Sequence, residues 1–157
     1  MLVAVPALVE RVVSGGQTGV DRAALDVALA LGIPCGGWCP AGRRAEDGRL
    51  PERYPLRETP SPEYGQRTQW NVRDSDATLI IARRPLSGGT ARTLCWARAY
   101  GRPHQVADPT RAGEVERIRS WLIGVAPAVL NVAGPRDDQH GQIYAQARAF
   151  LQALLAP

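Results

Sequence analysis

A chain of 157 residues with 45% hydrophobic side chains can bury one core, which predicts a single domain spanning residues 1–157. All 19 basic side chains are arginine, so neither a P-loop lysine nor a Schiff-base lysine is available. The net charge of +4 points to an anionic partner. The arginines are scattered among acids instead of gathered in one run, which favours a small phosphorylated ligand over nucleic acid.

The apolar stretch from Met1 to Val9 lacks a basic leading region and a small-residue cleavage site, so it does not read as a signal peptide. No apolar run approaches the ~20 residues that span a bilayer, and no membrane partner is expected. Val12-Val13 then reads as a first strand, followed by the turn Ser14-Gly15-Gly16-Gln17-Thr18-Gly19 and a helix from Val20 through Leu31. Glycines let the backbone approach a ligand closely, and the first amides of the helix carry partial positive charge, so strand, glycine turn and helix together describe an anion cradle. Thr18 and Asp21, three residues apart, read first as a capping box.

After Gly32 and Pro34, Ile33 to Gly37 reads as a short second strand. It ends Cys35-Gly36-Gly37-Trp38, without the acid that would hold a ribose, which disfavours a classical NAD enzyme. Residues 38–75 are too long for an ordinary strand-to-helix loop and are expected to be a functional insertion. Arg43 lies there among prolines, and Ser61-Pro62 signals a helix start. On that helix Arg67, Asn71 and Asp74 share one polar face, either lining a site or held in solvent by an Arg67–Asp74 ion pair.

Ala77 to Ala82 reads as a buried strand, Ser87-Gly88-Gly89-Thr90 as a second glycine turn, and the residues through Leu94, Trp96 and Ala97 as a helix. His104 to Val106 is a brief strand, and Asp108-Pro109 signals a helix carrying Val115, Ile118 and Leu122 on one face. Val129 to Ala133 enters a third glycine turn at Gly134-Pro135-Arg136. A last helix then places Ile143, Ala147, Phe150 and Leu154 on one stripe. Trp38, Trp70, Trp96 and Trp121 are expected to anchor the core or an interface.

This alternation predicts an α/β fold: a Rossmann-like, doubly wound, mostly parallel sheet of about five or more strands with helices on both faces. Three glycine loops after three strands would converge on the carboxyl edge, where such sheets bind ligands. Candidate ligand contacts are Gly15, Gly16, Gln17, Thr18 and Gly19 in the first loop; Ser87, Gly88, Gly89 and Thr90 in the second; Gly134 and Arg136 in the third. The insertion adds Arg43, Arg67, Asn71 and Asp74. No residue is assigned a catalytic or metal-ligating role, since His104 and His140 are far apart in sequence and Cys35 and Cys39 lack a partner pair. Together with Cys95 the three cysteines fit a reduced, cytoplasmic protein.

SGGQTGVDRAALD, GWCPAGRRAEDGRLPERYPLRET, the RTxWNVRDSDATLII stretch, the SGGT loop and NVAGPR together resemble the molybdenum carrier family, relatives of the molybdenum cofactor carrier protein. That resemblance extends over most of the chain. It implies a fold related to the lysine decarboxylase-like phosphoribohydrolases, which bind nucleotides at glycine loops and form dimers or tetramers. The implied function is a binding or carrier protein for molybdenum cofactor (molybdopterin) or a related phosphorylated pterin or nucleotide-like ligand. Alternatives are a nucleoside-monophosphate phosphoribohydrolase drawing a carboxylate from Asp21, Asp74 or Asp76, or a nucleotide-sensing module. Two departures stand out. Thr93 occupies the position at which the hydrolase motif PGGxGTxxE has its glutamate, and Asp137-Asp138 follow GPR where the family pattern has glutamate and serine.

Overall fold

The computed structural model describes residues 7–157, so most of the stretch read against a signal peptide, Met1 to Pro6, lies outside the described residues. In chain order, β1 (Arg11–Val13) leads through α1 (Val20–Leu31) to β2 (Cys35–Gly36). The insertion follows with β3 (Trp38–Cys39), β4 (Arg44–Ala45), β5 (Gly48–Arg49), β6 (Arg57–Glu58) and α2 (Tyr64–Arg73). The chain continues through β7 (Ala77–Ile81), α3 (Gly88–Ala99), β8 (His104–Ala107), α4 (Glu114–Val125), β9 (Val129–Ala133) and α5 (Gln142–Leu155).

Five strands pair in parallel in the order β2-β1-β9-β7-β8, so the expected parallel α/β sheet is present. The last strand of the chain is the middle strand of the sheet. Counted from β9 instead of from the N-terminus, the order becomes 3-2-1-4-5, the arrangement of a doubly wound dinucleotide-type sheet with its first strand moved to the end of the chain. Helices cover both faces: α1, α4 and α5 pack together on one, α2 and α3 on the other.

Alternation along β7 shows how the sheet is buried. Leu79 and Ile81 join Val12, Leu130 and Val132 in a core completed by Leu25 of α1, Ile118 and Leu122 of α4, and Phe150, Leu151 and Leu154 of α5. Ile80 points the other way, against Leu94 of α3. Thr78 shares that second face and accepts a hydrogen bond from Asn131 Nδ2 at 3.3 Å. The first face is therefore the apolar one, where each buried aliphatic side chain contributes about 1.5–3 kcal/mol. The second is partly polar.

Two sequence signals are corrected. The second strand shrinks to Cys35–Gly36, because Pro34 contributes only its carbonyl, to Val12 N, and Gly37 at φ 125 turns the chain out of the sheet. Asp108-Pro109 does not open α4: Asp108 Oδ1 accepts from Thr110 N (2.9 Å) and Thr110 Oγ1 (2.6 Å), closing a local turn. The helix begins at Glu114 after Gly113 in the left-handed conformation, and the Glu114 carboxylate accepts from Asp108 N. None of the four tryptophans is fully buried. Trp121 packs on the edge of the main core, and Trp38 meets Trp70 edge to face at 4.9 Å.

Candidate ligand-binding site

Helices on opposite faces follow β9 and β7, so the loops leaving these adjacent strands diverge and open a crevice at the carboxyl edge. Its volume is about 400 Å³, within the range of small-ligand sites. The β1–α1 loop supplies one wall, α2 of the insertion a second, the start of α3 a third and the end of β9 a fourth. Ser14 shapes the first loop, its Oγ donating to the Asp21 carbonyl at 2.8 Å and accepting from Gly16 N.

Ten of the sequence candidates line this crevice: Gly15 and Gln17; Arg67 and Asn71; Ser87, Gly88, Gly89 and Thr90; Gly134 and Arg136. The α3 wall is the most open. The N-cap Ser87 makes no side-chain capping bond, the first intrahelical bond of this turn runs from Ala91 N to the Ser87 carbonyl, and a Cβ on Gly88 or Gly89 would meet nothing within 4 Å. The amides of Gly88, Gly89 and Thr90 therefore precede the helix ladder, and the two glycines leave room beside them, as an anion-binding helix start requires.

Five candidates sit elsewhere, each for a physical reason. Gly16, at φ 78, is covered by the insertion, since a Cβ there would lie 2.7 Å from Leu56 Cδ1 and 2.8 Å from Leu50 Cδ1. Gly19, at φ 83, lets the start of α1 pass against the backbone of Pro135 to Asp137. Thr18 is no capping residue. Its hydroxyl donates to Glu46 Oε2 and accepts from Asp137 N, linking three loops, and Asp21 accepts from Gln17 N instead of completing a box with Thr18. Arg43 is buried and fans its guanidinium across the carbonyls of Leu50, Pro51, Tyr54 and Leu56, so it organises the insertion from within. Asp74 ends α2, paired with Arg73 and accepting from Trp38 Nε1 at 2.8 Å, which removes the Arg67–Asp74 ion pair.

The chemistry concentrates on three buried side chains. Arg67 is 7% exposed and donates from Nη1 to the Gly15 carbonyl at 2.7 Å. Its burial pushes its pKa down. Asp21, also 7% exposed, lies 4.0 Å from the same nitrogen. Burial raises its carboxyl from 3.8 to about 6, with Arg67 the largest opposing influence and the Gln17 amide next. Gln17 accepts twice at Oε1, from Thr18 N (3.0 Å) and Glu46 N (2.8 Å), which fixes the orientation of its amide. Its Nε2 is the one buried side-chain polar atom among the described residues without a hydrogen-bond partner. A buried donor left open beside a cavity is a place for a ligand acceptor.

Thr68, Asn131, Ala133 and Pro135 also line the crevice and were not among the sequence candidates; Asp21 and Thr93 line it too, the first offered by the sequence only as the carboxylate of the hydrolase alternative and the second as the residue in place of that motif's glutamate. Asp21 is the one acid on the buried face of α1, among Val20, Ala24 and Leu25. Thr93 donates to the Gly89 carbonyl at 2.9 Å and acts as a helix-internal hydroxyl.

The Asp21 shift has a consequence for stability. A carboxyl whose folded value is raised above its unfolded value contributes fully below about 3.8 and loses that contribution as pH climbs through about 6. Urea unfolding is expected to show Asp21→Asn gaining about 2–3 kcal/mol on the wild type between pH 4 and pH 7. A constant difference across that range would place Asp21 in water.

The model of the "Circularly permutated YpsA SLOG family" matches residues 12–155. The chain is 44% identical to a solved structure named "Putative molybdenum carrier protein" from Syntrophus aciditrophicus SB, with a TM-score of 0.89, covering 96% of this chain and 97% of that one. No curated protein matches significantly. A permuted family agrees with the topology, in which the central strand comes last in the chain.

Proposed function

This chain belongs to the circularly permutated YpsA SLOG family, and from that membership and the crevice we propose that it is a binding or carrier protein for a small phosphorylated ligand. The observation that carries the reading is the pairing, in one crevice, of the open Gly88–Thr90 helix start with the unpartnered Gln17 amide nitrogen. The helix start suits a phosphate; Gln17 and Asn131 suit the polar edge of a heterocycle, whereas Asn71 exchanges both its amide hydrogen bonds with the Trp38 backbone. The name of the 44% identical neighbour supports molybdenum cofactor, or a related phosphorylated pterin or nucleotide-like molecule, as the cargo. We place this carrier in the cytoplasm as a single-domain protomer of a homodimer or tetramer, acting without nucleic acid or membrane. Among the described residues no helix is long and apolar enough to cross a membrane.

Native mass spectrometry of protein purified from its own host is expected to show a bound phosphorylated heterocycle. Its loss on Gly89→Val would assign it to the crevice. The phosphoribohydrolase reading rests on Asp21, the single carboxylate lining the crevice. Hydrolysis at a glycosidic carbon needs a carboxylate facing the developing oxocarbenium charge and an activated water, and Thr93 supplies neither. Wild-type protein incubated with nucleoside monophosphates is therefore expected to release no free base on chromatography. Turnover that disappears in Asp21→Asn would replace the carrier with the hydrolase.

A further inference from the structure

The crevice built for an anion also contains a carboxylate, and that carboxylate is poorly compensated. Arg67 is the cation nearest Asp21, but at 4.0 Å it is beyond hydrogen-bond distance, and its Nη1 hydrogen bond goes to the Gly15 carbonyl. Arg22, next in α1, pairs with Asp47 in the turn between β4 and β5 and donates to the Gly16 carbonyl. From the β9–α5 loop, Arg136 approaches Glu46 at 3.9 Å, and Asp137 accepts backbone donors of its own loop and of α5. The lining from α3 is uncharged, and Cys39 of β3 is a buried thiol near Arg67. No cation is therefore reserved for Asp21.

We propose that the crevice takes up an anion together with one proton from solvent, held on Asp21, so that Asp21 sets the charge and pH range of the ligand this site retains. The inference rests on the anion-site reading above. A cavity of this volume is roughly 9 Å across, about one Debye length at physiological salt, and the burial of Asp21 limits screening at its carboxyl. A negative ligand at the Gly88–Thr90 amides disfavours the ionised form of a carboxyl in the same cavity. Protonation removes that repulsion and turns the carboxyl from an acceptor into a donor in the wall that holds Gln17. The value of about 6 for the free protein puts this exchange within reach of neutral pH.

The probe is sulfate, a tetrahedral dianion that does not itself titrate between pH 5 and 8. Carbon-13 NMR of the Asp21 carboxyl in wild-type protein should show its titration moving up by at least about one pH unit at saturating sulfate. Sulfate affinity should fall about fivefold or more from pH 6 to pH 8 in the wild type, and stay level across that range in Asp21→Asn. Sulfate binding that leaves the Asp21 titration unmoved, or a pH dependence that persists in Asp21→Asn, overturns the proton coupling alone. Failure of sulfate, phosphate and AMP to bind at any pH overturns the anion site and the coupling with it.

Discussion

Gly16→Val is expected to cost about 3–5 kcal/mol of stability, whereas Gly89→Val leaves stability within about 1 kcal/mol of wild type and abolishes anion binding. The two glycines look alike in sequence, each the second of a pair between strand and helix. Their surroundings differ. At Gly16 the backbone sits at φ 78, where a β-branched residue is strained, and the new Cβ would press on Leu50 and Leu56. These leucines are the underside of the insertion, so the damage spreads to the elements that hold Arg67 and Asn71. At Gly89 the backbone is helical and the added atoms enter empty space, the space a ligand would fill. Urea denaturation with sulfate or AMP titration separates the two. A Gly89→Val protein that binds like wild type would remove the cradle from α3.

This contrast explains what could be read from sequence and what could not. The strands β7 and β9 and the helices α1, α3 and α5 were legible because their apolar spacing and flanking glycines agree, each signal reinforcing the other. The convergence of three glycine loops followed from parallel topology, but the middle position of β9 did not, since adjacency in a sheet is a long-range choice that local pattern does not carry. Asp108-Pro109 misled because an aspartate that can cap a helix can equally close its own turn on Thr110. Arginines were the hardest to place. Arg43 and Arg136 are identical as letters, yet one is enclosed by four carbonyls and the other lines the crevice near its mouth. Periodicity put Arg67 on a polar face. It did not show that this face turns inward onto Gly15.

Burial changes what is expected of Arg67→Ala. A solvent-facing arginine would lose affinity and little stability on truncation, but this one closes the crevice from beneath, with its Nη1 on the Gly15 carbonyl and its charge beside Asp21. Removing it leaves the Gly15 carbonyl without its donor and Asp21 without its nearest cation, a loss of about 1–3 kcal/mol that grows where Asp21 is ionised. The loss has a pH signature. Arg67 is the largest influence holding the Asp21 carboxyl down, so without it the carboxyl rises above about 6, and the variant is penalised most where Asp21 is forced to ionise. Urea unfolding should therefore show a deficit that is greater at pH 8 than at pH 5, with anion affinity down tenfold or more at both. Adding Asp21→Asn should recover part of the stability at pH 8, because the orphaned charge is gone, and none of the affinity at pH 5, where Asp21 is already largely neutral and the cation is still missing. If the single variant is as stable as wild type at every pH, Arg67 is not the buried partner of Asp21. If the double variant regains binding at pH 5, the cation that meets the ligand is another arginine, with Arg136 of the crevice lining the first to substitute.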